Sequence, residues 1–254
     1  MKTLIFGGSS GMGKAVALKV AEDNSDVLIC SRNEEKLKKA ENEIYSLTKN
    51  KINYIQLDLS DLNNLEYKLE KIMMDFGIPS RILINGGGPV FGAFEDISLD
   101  AWDLYINQVI KSNVIILKKL LPQMNNNGSI VFILSDVVRN AGPGKILPCS
   151  LRMALIGIIK CLAFEYAEKN IRINAVSPGP VETERAVSLL NKSAENNNIS
   201  FNEMKNEFTK DLPMKRMGRP EEIAELVNFL FSDKSTYITG ANIICDGGLT
   251  VMPV

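Results

Sequence analysis

The stretch Leu4-Ile5-Phe6-Gly7-Gly8-Ser9-Ser10-Gly11-Met12-Gly13-Lys14 decides the fold. Leu4 to Phe6 close a short apolar run, and Gly7 to Gly13 make a glycine-rich turn. From Lys14 onward, Val16, Ala17, Val20 and Ala21 fall at helical spacing. The order is therefore strand, glycine turn, helix. Glycines at such a turn let backbone approach a pyrophosphate that a side chain would block. The helix that follows aims free N–H groups and the positive end of its dipole at the same anion.

Working outward, the same alternation continues. Val27–Cys30, Tyr54–Leu57, Arg81–Ile84, Ile130–Leu134, Ile171–Val176 and Asn242–Cys245 read as strands. Helices are predicted over Glu34–Leu47, Leu62–Phe76, Leu99–Met124 (with a break near Lys111), from about Pro148 to Glu168, and over Pro220–Phe231. Ser188 to Asn202 is polar and asparagine-rich. It is expected to form a mobile helical flap, about 186–212, over the pocket, with a surface loop as the alternative. The pattern predicts α/β architecture: one Rossmann-type domain over 1–254, with a doubly wound seven-stranded parallel sheet and helices on both faces. Ligands of such sheets sit at the carboxyl ends of the strands.

Composition narrows the class. The 254 residues are 45% hydrophobic and carry a net charge of -1, so no basic field for nucleic acid is present. The apolar runs read as too short to span a bilayer, and the chain enters a strand too early for a signal peptide. Cys30, Cys149, Cys161 and Cys245 have no metal-binding or paired spacing, which fits a reduced, cytoplasmic protein without a metal site. The absence of histidine removes the commonest general base and every Ser-His or Cys-His mechanism.

The residues after the second strand bear on the nucleotide. An acid there bonds an adenosine 2′-hydroxyl and repels a phosphate. Here Ser31 and Arg32 stand instead, and a guanidinium fork suits a phosphate. NADP(H) is therefore expected over NAD(H). Asp58, past the third strand, either bonds an adenine amino group or caps the next helix. Asn85-Gly86-Gly87-Gly88 again marks close backbone approach.

These motifs, with Ser135, Pro178-Gly179, Gly218-Arg219-Pro220-Glu221-Glu222, and Ile238-Thr239-Gly240 followed by Cys245-Asp246-Gly247-Gly248, occur in the order and spacing of the short-chain dehydrogenases/reductases. The chain resembles that family throughout, and its 3-oxoacyl-carrier-protein reductase branch most. The resemblance implies that Gly7, Ser9, Ser10, Gly11, Met12 and Gly13 hold the pyrophosphate. It implies that Ser31 and Arg32 meet the adenosine ribose and its phosphate, and that Asp58 and Leu59 meet the adenine. Asn85, Gly86 and Gly87 would line the cofactor, while Arg152, Pro178, Gly179, Val181 and Thr183 would face its nicotinamide end. Phe6 and Gly86 depart from the family's threonine and asparagine. A homodimer or homotetramer through the helices around Leu117–Leu121 and Leu155–Ala163 is also implied.

The family's asparagine, serine, tyrosine and lysine tetrad is not reproduced. By spacing, these positions hold Val109, Ser135, Pro148 and Arg152. The family's tyrosine protonates the nascent alkoxide, its pKa lowered from about 10 by the lysine. Proline has no proton to give, and losing general acid catalysis costs about 10²–10⁴ in rate. The expected function is an NADP(H)-dependent oxidoreductase acting on a carbonyl or alcohol, with Ser135 polarising the oxygen and Arg152 supporting it. The alternative is a pseudoenzyme that binds a nicotinamide nucleotide without turnover. Cys149, Ser150, Asp136 and Tyr105 are the conceivable substitutes, but packing and capping account for them more simply. Non-redox chemistry of the halide-ejecting type ranks last, since its tyrosine is missing too.

Overall fold

The structure, a computed structural model, describes residues 1–251. Seven parallel strands form one sheet in the order β3-β2-β1-β4-β5-β6-β7. They are β1 (Lys2–Phe6), β2 (Asp26–Ser31), β3 (Asn53–Gln56), β4 (Arg81–Ile84), β5 (Ser129–Ile133), β6 (Arg172–Pro178) and β7 (Asn242–Cys245). The order reverses between β1 and β4, which opens a crevice at their carboxyl ends.

Alternation along the strands divides the core. Leu4, Phe6, Leu28, Cys30, Ile82, Ile84, Ile130 and Phe132 point to one face; Ile5, Val27, Ile29, Leu83 and Val131 point to the other. The first face is covered by α3 (Leu62–Asp75), α5 (Ser112–Leu120) and α6 (Ile146–Glu165); the second by α1 (Gly11–Glu22), α2 (Glu34–Thr48) and α9 (Pro220–Phe231). Phe6, the departure noted above, is fully buried against the first face. Its aromatic ring there contributes about 1.5–3 kcal/mol that a threonine would not supply.

α6 corrects one expectation. At 20 residues with a mean hydropathy of 1.8, it is long and apolar enough to cross a membrane by length and composition alone. Leu147, Leu151, Leu155, Ile159 and Ala163 recur every fourth residue and pack into the core. Phe164 and Met153 remain exposed.

The region predicted as one long helix with a break is α4 (Leu99–Tyr105), a π-helical turn over Ile106–Lys111, and α5. Ser112 and Asn113 donate their side chains back to the carbonyls of Gln108 at 2.5 Å and Val109 at 2.7 Å. Those bonds take up carbonyls that the widened turn displaces, and such turns gather at functional sites. Residues 184–209 form two capped helices, α7 (Glu184–Asn197) and α8 (Phe201–Thr209), not an irregular loop.

Candidate active site

The glycine turn is folded by contact with its neighbours. A Cβ on Gly13 would lie 2.1 Å from the Gly7 carbonyl oxygen, and one on Gly7, at φ +70, would lie 2.0 Å from that of Asn85. Asn85 donates its side-chain amide to the Gly7 carbonyl at 3.2 Å, so it braces the turn. α1 begins at Gly11, three residues before the start that apolar spacing placed at Lys14. Apolar periodicity cannot register a first turn built of glycines. The N-cap Ser10 makes no side-chain cap bond, and no acid stands in the first turn. The donors of Gly11, Met12 and Gly13 are thus presented to the crevice, as an anion site requires.

Between β1 and β2, the Ser9 and Ser31 hydroxyls hydrogen-bond at 2.8 Å. Arg32 is exposed, and Gln56 fixes its carbonyl at 2.9 Å. A cavity of about 240 Å³ opens beside it, lined by Arg32, Gln56, Asp58, Asn64 and Lys68 among others. Sequence reading missed Lys68, because one lysine on an amphipathic helix looks like any solvated charge. Asp58 accepts from the Ser60 backbone at 2.8 Å and hydroxyl at 2.7 Å, so it closes its own turn. The Leu59 side chain is buried in the core, and a Cβ on Gly86 would lie 3.7 Å from it.

The opposite end of the crevice gathers residues from β4, β5, β6, α6 and α7. Gly86 and Gly87 are exposed after β4, and a Cβ on Gly87 would meet the Gln108 amide at 3.2 Å. Gln108 lies on the π-helical turn, a geometry with no sequence signal. Val109 beside it is buried among the apolar side chains of the core. Pro178 ends β6, Gly179 packs against Asp246, and Val181 is buried where it bridges to Gly218. Thr183 caps α7 by accepting from Ala186 at 3.3 Å, with its methyl against Gly11.

Ser135 follows β5, and its hydroxyl donates to the Asp136 carboxylate at 2.8 Å. Asp136 lies in the loop after β5, where its side chain accepts from Ser135 and Asn140. Pro148 is the third residue of α6 and is buried. One turn on, Arg152 donates to the Pro148 carbonyl at 3.4 Å, its guanidinium against Gly88. Burial lowers its pKa to about 10, with Asp136 opposing and Arg185 adding to the shift.

Residues 7–250 match a family model described as enoyl-(acyl carrier protein) reductase. The chain is 31% identical over 250 residues to a 3-oxoacyl-[acyl-carrier-protein] reductase of Thermotoga maritima, covering 98% of this chain and 97% of that protein. A short chain dehydrogenase family protein of Francisella tularensis superposes with a TM-score of 0.88 at 31% identity, covering 99% of both chains. The chain belongs to the short-chain dehydrogenase/reductase family. The fold is shared with L-sorbose reductase of Gluconobacter frateurii, solved with NADPH and L-sorbose, at a TM-score of 0.94 and 22% identity over 99% of this chain and 97% of that one.

Among the described residues, no recorded hydrogen bond joins any of the six tyrosines to Ser135. Tyr105 packs against the core from α4.

Proposed function

We propose that this chain is an NADP(H)-dependent oxidoreductase acting on a carbonyl or alcohol substrate through an altered proton-donor arrangement. The observation that carries the reading is the uncapped first turn of α1 after β1, where the strand order reverses, with Arg32 following β2 and Arg152 against the loop after β4. Gly7 to Gly13 fit the pyrophosphate, since the turn packs tightly against Asn85 and ends in uncapped backbone donors at the start of α1. Arg32 and Lys68 favour a 2′-phosphate, and no acid at the end of β2 repels it.

When bound, the nicotinamide supplies a hydride to the carbonyl carbon. Arg152, on the substrate side, offsets by its charge the negative charge developing on the carbonyl oxygen. Ser135, its proton committed to Asp136, positions the carboxylate beside that charge. Water completes the alcohol by giving the oxygen its proton. Helical residues 186–212 form the movable wall of the substrate side.

A second reading, a nucleotide-binding protein without turnover, is favoured by Pro148: it is buried and offers no proton where the family's tyrosine would stand. Fluorescence titration with NADPH and NADH, followed by NADPH-consumption assays on 3-oxoacyl thioesters and small ketones, separates the two. Tight NADPH binding with consumption supports the enzyme. Binding with no consumption by any substrate supports the second reading, and failure to bind either nucleotide removes both.

The exposed side of α6 and the half-exposed edge strand β7 support a homodimer or homotetramer, testable by light scattering. The four free thiols fit a reducing, cytoplasmic setting.

A further inference from the structure

Two guanidinium groups from different helices converge on one glycine. A Cβ on Gly88 would lie 2.8 Å from Arg152 Nη2 and 3.8 Å from Arg185 Nη1. Arg152 reaches this point from α6, half-buried; Arg185 reaches it from the first turn of α7 and is exposed. The absence of a side chain at Gly88 leaves the space between the two charges and the loop wall.

Neither group makes a direct ion pair among the described residues. Among the described residues, no carboxylate oxygen lies within 4.0 Å of either one. The one hydrogen bond recorded for Arg152 goes to a carbonyl at 3.4 Å. Arg216, by contrast, grips Glu222 through two nitrogens at 2.8 and 2.7 Å. Asp136 acts on Arg152 by its charge from beyond pairing distance, its oxygens accepting from Ser135 and Asn140, and it offsets only one of the two cations. Like charges brought together without compensation are unfavourable unless an anion joins them. Arginine forks are suited to carboxylate and phosphate oxygens.

We propose that Arg152 and Arg185 form a clamp for an anionic group carried by the substrate itself, a carboxylate or a phosphate ester, so that the substrate is a small charged oxo compound. The proposal rests on the oxidoreductase reading, because the clamp lies at the Ser135 end of the crevice. A neutral nicotinamide ribose needs no second cation; a charged substrate does. Burial and the neighbouring Arg185 both depress the Arg152 pKa, and a bound anion reverses that cost.

The test is calorimetric titration of the full chain, alone and saturated with NADPH, using acetoacetate against methyl acetoacetate, and dihydroxyacetone phosphate against dihydroxyacetone. At least one anionic probe is expected to bind at least about tenfold tighter than its neutral partner, and the favoured pair identifies the anion. Arg185→Gln is expected to remove about tenfold of that preference without moving Tm, since the side chain is exposed, and Arg185→Lys to restore part of it. Equal affinities for charged and neutral probes overturn the proposal. So does an Arg185→Gln variant that weakens NADPH instead of the anion, which would assign Arg185 to the cofactor phosphates. If NADPH fails to bind at all, the oxidoreductase reading falls, and titration of the chain alone still reads the clamp.

Discussion

The Ser135 hydroxyl donates to the carboxylate of its own neighbour, Asp136, at 2.8 Å. A carboxylate only accepts, so the serine proton points away from any carbonyl in the crevice. Ser135→Ala is therefore expected to lower kcat/KM by less than about tenfold. In an Asp136→Ala background the hydroxyl is released, and the same substitution is expected to cost about 10²-fold, the usual worth of one oxyanion donor. The double-mutant cycle reads this coupling; additive effects would remove the assigned orientation.

Arg32 and Lys68 flank the adenosine-side cavity. Arg32→Glu places an acid where a 2′-hydroxyl would be bonded and a phosphate repelled. The ratio of NADH to NADPH affinity is expected to rise by at least about tenfold, with Lys68→Ala giving a smaller change in the same direction. Fluorescence titration checks both.

Gly13→Ala puts a methyl 2.1 Å from the Gly7 carbonyl oxygen, a contact only backbone movement relieves. The expected cost is about 1–3 kcal/mol of stability, as for overpacking, together with loss of nucleotide binding. Urea unfolding and NADPH titration measure the two effects separately.

Restoring a phenol tests the proton-donor argument. Pro148→Tyr with Arg152→Lys is expected to raise reduction of a neutral ketone by about 10²–10⁴-fold, the worth of general acid catalysis. Adding Val109→Asn is expected to destabilise by about 1–3 kcal/mol without helping, because position 109 faces the core and a buried amide there lacks partners.

Glu222, in the first turn of α9, predicts a pH response. The Arg216 side chain, then the Arg219 backbone N–H, hold its pKa at about 2, against an ordinary 4.5. The native state thus binds fewer protons than the unfolded chain between these values. Its contribution is complete above about pH 4.5 and lost as pH falls towards 2. Tm measured from pH 5 to 2.5 is expected to fall more steeply in the parent than in Glu222→Gln.

Sequence alone determined the alternation of strands and helices, the glycine turn, the missing acid after β2 and the absence of histidine. These are local facts: period, turn chemistry and residue type are visible within a few positions. Pro220–Phe231 and Asn242–Cys245 matched their predicted bounds for that reason. Tertiary structure decided what each polar group is already bonded to. Asn85 is engaged with Gly7 and Asp136 with Ser135, neither of which spacing can reveal. It also decided that Arg152 and Arg185, far apart in the chain, meet at Gly88. Where a charge stands relative to another depends on how helices cross the sheet, and that is settled by packing across the whole chain, not by neighbours along it.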